Sequence, residues 1–322
     1  MANTDAAMMT EGPVPIIDIK PFLTFEESNP AAQAVIQAWD KAFSTVGFAV
    51  IVGHGVPEEV VVDTYAKAND FFSLPMEDKM KSCLGKGYGV GGYLPPGLES
   101  VGSSKKGAPR KPSDIVENIL VHYRESDVIP ERPAGYKDSV YRYWEAVNKL
   151  LLQIMELSAV ALGLPRSHFN ESFASPSNVL RLAHYPDEKN PKPGQLRYGE
   201  HTDYTGFTIL KVDQVPGLQV KLQDGSWADI PYIPGSFIVN AGDLLQVWTN
   251  DRWLSNLHRV QIPPCDLDGN TERTSIVFFT GPHNDTLVSC LPTCLAEGDR
   301  PHYEPIKAGE HLWQRINASN VT

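Results

Sequence analysis

Apolar and polar positions follow two different registers along this chain, and the register changes near Pro165. Before that point apolar residues recur every three or four positions. Ala31 to Ser44 carries Ala, Val, Ile, Trp and Phe at that spacing and stops near Gly47, and Glu58 to Phe72 repeats the pattern, so both stretches predict helices. Tyr136 to Leu162 holds the longest stripe, with Val140, Tyr143, Trp144, Val147, Leu150, Leu151, Ile154 and Leu157 on one face, and predicts an amphipathic helix against a core. Two short strands interrupt this part: Val14-Pro15-Ile16-Ile17-Asp18-Ile19, and Phe48-Ala49-Val50-Ile51-Val52, which runs into the turn Gly53-His54-Gly55-Val56-Pro57.

After Pro165 the apolar runs shorten to 178–185, 207–212, 217–222, 236–240, 244–248, 257–262 and 274–280, separated by Gly, Pro, Asn and Asp. Each run predicts a strand, and so many at that spacing predict a β-sandwich or double-sheet barrel. From Gly85 to Lys111, glycine, proline, serine and lysine dominate, which predicts a loop. Its glycines, Gly87 to Gly92, have no lysine at phosphate-loop spacing and no helix after them, so the stretch reads as a flexible flap. The expectation is a mainly β core with flanking helices and an α-rich N-terminal region, with no internal repeat and no linker.

Composition narrows the class of partner. The formal charge is −11 and the basic residues are dispersed, apart from Lys105-Lys106 and Arg110-Lys111, which argues against nucleic acid as a partner. No apolar run approaches the length of a membrane span, and Met1 to Pro13 lacks the basic and apolar segments of a secretory signal, so a cytoplasmic protein is expected. Cys83, Cys265, Cys290 and Cys294 offer neither a disulfide framework nor a complete zinc set.

Three residues form a candidate metal set. In a strand, positions i and i+2 share a face, so alternation predicts that His201 and Asp203 point together while Thr202 points away. His258 follows 57 positions later in the apolar run Leu257-His258-Arg259-Val260, where a returning strand can lie beside the first. A histidine in such a strand is ordinarily a core residue bonded to a backbone carbonyl, and with the His-x-Asp it is a candidate third ligand. Two histidines and a carboxylate on one face of a metal are the donor set of non-heme Fe(II) oxygenases. Arg273 and Ser275 share a face of a later strand, and a guanidinium fork with a hydroxyl beside it suits a carboxylate. A dicarboxylate such as 2-oxoglutarate matches, with its keto-acid end on the metal and its distal carboxylate on Arg273. His184 alternates with Tyr185 and is read as structural.

The chain resembles the iron(II)/2-oxoglutarate-dependent dioxygenases of the isopenicillin N synthase-like superfamily over nearly its whole length. The resemblance rests on Val14 to Asp18, Gly47-Phe48 through Pro57, Phe71-Phe72-Ser73-Leu74-Pro75, Gly199-Glu200-His201-Thr202-Asp203-Tyr204, Pro216 to Val220, Asn240-Ala241-Gly242-Asp243, His258-Arg259-Val260 and Tyr303-Glu304-Pro305-Ile306. It implies a double-stranded β-helix, or jelly roll. It also implies Fe(II) on His201, Asp203 and His258, with 2-oxoglutarate on Arg273, Ser275 and Tyr185 and O2 as the oxidant. Ala183 stands where the family's plant members carry the Asn of an Asn-x-Tyr element, so one co-substrate contact is absent. Phe279 matches a position that packs on substrate, and Tyr88, Tyr93 and Leu210 are further candidate pocket walls.

The regions expected are 14–130 as a mixed N-terminal part, 131–175 as the long helix and its connection, 176–285 as the jelly-roll core and 286–322 as a C-terminal segment. The last, with the loop 85–100, is a candidate lid. The activity implied is hydroxylation, desaturation or cyclisation of a small molecule of nucleobase, amino-acid or secondary metabolism by a monomer, releasing succinate and CO2. Two alternatives stand beside it: an oxidase like isopenicillin N synthase that uses no 2-oxoglutarate, and a non-catalytic binder on the same scaffold.

Overall fold

The structure is a computed structural model that describes residues 8–9, 12–83, 91–97, 114–125, 127–188, 190–263 and 271–319. The N-terminal elements are β1 (Met8–Met9), β2 (Ile16–Asp18), α1 (Lys20–Thr24), α2 (Pro30–Thr45), β3 (Phe48–Val52), α3 (Glu58–Phe72), α4 (Met76–Met80), β4 (Gly92–Leu94), β5 (Glu117–Val121) and α5 (Tyr136–Ala161). Then come β6 (Val179–Tyr185), β7 (Tyr198–His201), β8 (Phe207–Val212), β9 (Leu218–Lys221), β10 (Trp227–Asp229), β11 (Phe237–Ala241), α6 (Asp243–Trp248), β12 (His258–Val260), β13 (Arg273–Phe279), β14 (Leu287–Val288), β15 (Ile306–Lys307) and α7 (Ala308–Ser319).

Nine strands form one sheet in the order β1-β2-β3-β11-β8-β13-β6-β5-β4, and four form a second in the order β10-β9-β12-β7. The N-terminal strands thus extend the same sheet as the core strands. Strand alternation sorts the large sheet into two faces. Leu180, Leu182, Ile209, Val239, Ile276 and Phe278 face α2, α3 and α5 and belong to the larger apolar cluster. Ala183, Tyr185, Leu210, Ile238, Phe48 and Val50 face the other way and meet Leu218, Val220 and Val260 of the small sheet. This second cluster is the interior of a jelly roll.

The helices form where their stripes predict. Asn29 caps α2, its Oδ1 accepting from the Ala31 N–H at 2.9 Å ahead of a proline already set in helical geometry. Trp39 then joins the layers: its ring lies 5.8 Å from that of Phe207 on β8, and its indole N–H donates to Ser158 Oγ on α5 at 3.0 Å. Truncating so buried an indole typically costs about 3–5 kcal/mol, against about 1 kcal/mol for its hydrogen bond, so packing dominates this joint.

Two expectations are corrected. The run 244–248 is not a strand but α6, with Leu244, Leu245, Val247 and Trp248 all buried; a short apolar run fits a buried strand and a buried helix equally well. Within the stretch read as loop, Gly92–Leu94 is a strand, stabilised by pairing with β5, itself absent from the expected strands. The flap Gly87–Val90, with Tyr88, lies outside the described residues.

Candidate metal and co-substrate centre

β12 pairs antiparallel with β7, and the register sets His258 directly opposite His201. Their ring centroids stand 4.1 Å apart. Asp203 reaches the same point by another route than strand alternation, since β7 ends at His201 and Asp203 lies in the turn beyond it. Long-range bonds orient it. Its backbone carbonyl accepts from the Asp243 N–H at 2.8 Å, and its Oδ2 accepts from Thr208 Oγ1 at 2.5 Å and Asn240 Nδ2 at 2.6 Å. That leaves Oδ1 facing the two Nε2 atoms, 3.6 Å from His201 and 3.7 Å from His258. Gly242 makes the approach possible, because a Cβ there would stand 2.6 Å from the Thr205 carbonyl oxygen and 3.1 Å from that of Asp203.

A divalent ion needs neutral imidazole and ionised carboxylate, and His201 and Asp203 are shifted toward those states. His201 Nδ1 bonds the Gly199 carbonyl at 2.8 Å and His258 Nδ1 that of Asn256 at 3.1 Å, so each Nδ1 carries its proton and each Nε2 turns a lone pair inward. Burial is the largest of the causes that lower His201 from 6.5 to about 3. Burial alone would raise Asp203, but His258, His201, Asn240 and Thr208 together bring it below the usual carboxylate value. The ligand atoms lie within 4.8 Å of one another, so the residues fit a single ion.

Two expected results follow from this geometry. Asn240→Ala removes one of the two donors that aim Asp203, and losses of this kind cost about 10–100-fold in metal affinity. A Mn(II) titration of the variant reads the change, and wild-type affinity would show that Thr208 alone suffices. For the metal-free protein, the unfolded chain holds a proton at His201 between pH 6.5 and about 3 that the folded chain lacks. Stability therefore rises with pH across that window. Urea midpoints are expected to fall on acidification below 6.5, and less steeply in His201→Gln; parallel slopes would mean that the ring is not held neutral.

At the other end of the interior, β13 pairs with β6 so that Arg273 faces Tyr185 and Ser275 faces Ala183. Arg273 is 2% exposed, with its guanidinium 5.2 Å above the Tyr185 ring centroid and Nε donating to the Val215 carbonyl at 3.3 Å. Its Nη1 has no partner. A buried, incompletely bonded guanidinium beside a hydroxyl and a phenol is a ready receptor for a carboxylate, because desolvated charge is costly until paired.

The remaining candidates fall in different places. Phe279 pairs with Thr208, the residue bonded to Asp203, so it lies on the interior face next to the metal end. Leu210 pairs with Val277 and Ile238 on the same face, further from that end. Tyr93 does not line the interior. It pairs with Ile119 on the helix side, packs on Phe71 and donates to Glu117 Oε2 at 2.5 Å, where Lys79 and His184 also bind that buried carboxylate. His184 lies there too, stacked on Phe72.

Several residues carry no role in the sequence reading and acquire one here. The Tyr198 ring lies 4.8 Å from that of His201, its hydroxyl accepts from Arg181 Nη1 at 2.9 Å, and Arg181 Nε donates to Asn118 Oδ1 at 2.8 Å. The only signal in the sequence is a charge, Arg181, inside an apolar strand. Outside the ligand turn, α7 is tied down by Arg315, whose Nη2 contacts Asp243 Oδ2 at 2.8 Å and Thr202 Oγ1 at 3.2 Å.

Comparison with known proteins agrees with this arrangement. Residues 176–282 match the family model described as the 2OG-Fe(II) oxygenase superfamily, and residues 14–143 match that of the non-haem dioxygenase in morphine synthesis N-terminal region. Gibberellin 20 oxidase 4 of Arabidopsis thaliana is 34% identical over 302 residues, covering 90% of this chain and 76% of that protein. The 2-oxoglutarate-Fe(II) type oxidoreductase hxnY of Emericella nidulans is 29% identical over 313 residues, 91% of this chain and 86% of the other. The crystal structure of a full-length Neurospora crassa protein in complex with alpha-KG superposes with a TM-score of 0.87 at 30% identity, covering 99% of this chain and 98% of that one.

Proposed function

The chain belongs to the 2OG-Fe(II) oxygenase superfamily, and on that premise we propose that its substrate is a small, flat molecule with several hydrogen-bonding groups, taken between Phe279 and the Arg181–Tyr198 pair. The protein is a 2-oxoglutarate-dependent dioxygenase with Fe(II) as its metal and 2-oxoglutarate and O2 as co-substrates. The bound iron, with 2-oxoglutarate and O2, supplies oxidation of an unactivated C–H bond coupled to release of succinate and CO2.

His201, Asp203 and His258 hold the ion, and Arg273, Ser275 and Tyr185 hold the distal end of the co-substrate. The protein's own work is to fix these groups and to keep the interior dry. The observation that carries the substrate reading is Arg181, buried on the interior face beside His201's neighbour Tyr198. A guanidinium and a phenol on that wall favour a polar ring over an apolar one, because covering a charged group with hydrocarbon is costly. Support also comes from the same Neurospora crassa protein, a structure of which, holding alpha-KG and thymine, superposes with a TM-score of 0.85 at 29% identity.

A screen for stimulated succinate release tests this reading with pyrimidines and purines on one side and apolar terpenoid acids on the other. Stimulation by nucleobases is expected, lost in Arg181→Leu; a response only to the terpenoid acids would sink it. The proposal extends to a monomer of cytoplasmic small-molecule metabolism, supported by the free thiols of Cys83, Cys290 and Cys294, which suit a reducing compartment. Cell fractionation and sedimentation check compartment and mass.

A further inference from the structure

Arg197 stands immediately before β7, its backbone N–H donating to the Val260 carbonyl at 3.0 Å. Its side chain is fully buried. Only Nη2 is bonded, to the carbonyl oxygen of Thr271 and to Thr271 Oγ1, while Nε and Nη1 have no partner. Thr271 lies two residues before Arg273, whose Nη1 is also without a partner.

Among the described residues no carboxylate forms an ion pair with either guanidinium. The nearby acids are otherwise engaged: Asp213 accepts the backbone N–H groups of Thr274 at 2.6 Å and Val215 at 3.0 Å, and Asp187 accepts the Thr271 hydroxyl at 2.5 Å. Burial, then repulsion from Arg273, lowers Arg197 to about 10, which still leaves it charged at neutral pH.

Two desolvated like charges with three unfilled donor atoms are unfavourable, and the attraction of Asp213 and Asp187, neither of them ion-paired to Arg197, is a smaller effect than burial and the repulsion from Arg273. A hydrophobic core gains nothing from them, and apolar residues of similar volume would ordinarily serve as well or better. An anion between them reverses the balance, because each guanidinium then makes charge-assisted bonds in low dielectric.

We propose that Arg197 is a second cation of the co-substrate site, so that Arg197 and Arg273 together clamp the distal carboxylate of 2-oxoglutarate. This rests on the reading that Arg273 receives that carboxylate. It adds a specificity consequence: the site selects 2-oxo acids with a terminal carboxylate through two guanidiniums, and a 2-oxo acid without one gains from neither.

The test is equilibrium binding of 2-oxoglutarate to Mn(II)-loaded protein by calorimetry, alongside 2-oxobutyrate, which lacks the distal group. Arg197→Met is expected to weaken 2-oxoglutarate at least tenfold, to leave 2-oxobutyrate and Mn(II) binding unchanged, and to leave the melting temperature of the ligand-free protein equal or higher. Arg197→Lys, which retains charge without the fork, is expected to fall between. Unchanged 2-oxoglutarate affinity in Arg197→Met would overturn the assignment while leaving Arg273's role intact, and so would equal weakening of both oxo acids. Should Arg197→Met fail to fold, Arg197→Lys decides: affinity equal to wild type overturns the proposal. Failure of the wild type itself to bind 2-oxoglutarate removes both this assignment and the reading beneath it.

Discussion

His201→Ala and Asp203→Ala are each expected to abolish substrate-dependent succinate formation. Each removes one of three donors from a site whose ligand atoms lie within 4.8 Å. Structural Zn(II) in zinc-finger peptides, as a scale for such donor sets, binds with about 10–16 kcal/mol. Losing one donor of three therefore costs several kcal/mol, on the order of a thousandfold in metal affinity. Asp203→Asn sharpens the test because it preserves volume while removing the charge. Thr208 and Asn240 both donate to Oδ2, and an amide nitrogen there cannot accept those bonds. Mn(II) titration and succinate yield are the readouts, and wild-type turnover in any of the three variants would refute the metal assignment.

Arg273→Leu is the second large effect. Truncating one partner of a buried, hydrogen-bonded charge pair costs about 2–5 kcal/mol, or roughly 30-fold to several thousandfold. The loss should appear in the KM for 2-oxoglutarate, while kcat at saturating co-substrate changes much less, as expected for an anchor that grips ground and transition states alike. Arg273→Lys should recover only part of the loss, because an ammonium cannot present two parallel N–H groups. A fall in kcat with KM unchanged would place Arg273 outside the co-substrate site. The reading without 2-oxoglutarate predicts O2 uptake independent of it; the match to the 2OG-Fe(II) oxygenase model and the alpha-KG held by the Neurospora crassa protein stand against that.

Much of this was legible in the linear chain. The helices Pro30–Thr45, Glu58–Phe72 and Tyr136–Ala161 lie where three-and-four spacing puts them, and β3, β8 and β13 where their apolar runs do. The donor types for the metal were legible too, because a Fe(II) site needs histidine and carboxylate and the chain places His-x-Asp in a motif. Periodicity of this kind is local: it reports which face of an element is apolar, and so needs no knowledge of what the face meets.

What the chain alone left undecided depends on contacts far apart in sequence. Asp203 points at the metal position not by strand alternation but because Asn240, 37 residues away, and Thr208 hold its outer oxygen. His258 stands beside His201 and Asp203, in a group that could hold a metal ion, because β12 returns in register against β7. Residues 243–248 form a helix whose first N–H groups bond the carbonyls of Asp203 and Thr205, and Tyr93 faces helices because β4 joins the sheet edge through β5. Arg197 is an ordinary arginine in the sequence, and only its burial beside Arg273 reveals two charges without a paired anion. The sequence determined the long helices, the core strands with apolar runs and the chemical types of the site, whereas α6, β4, β5, register, orientation and burial were decided by the tertiary structure, because only long-range packing sets which charges lose water and which lone pairs meet.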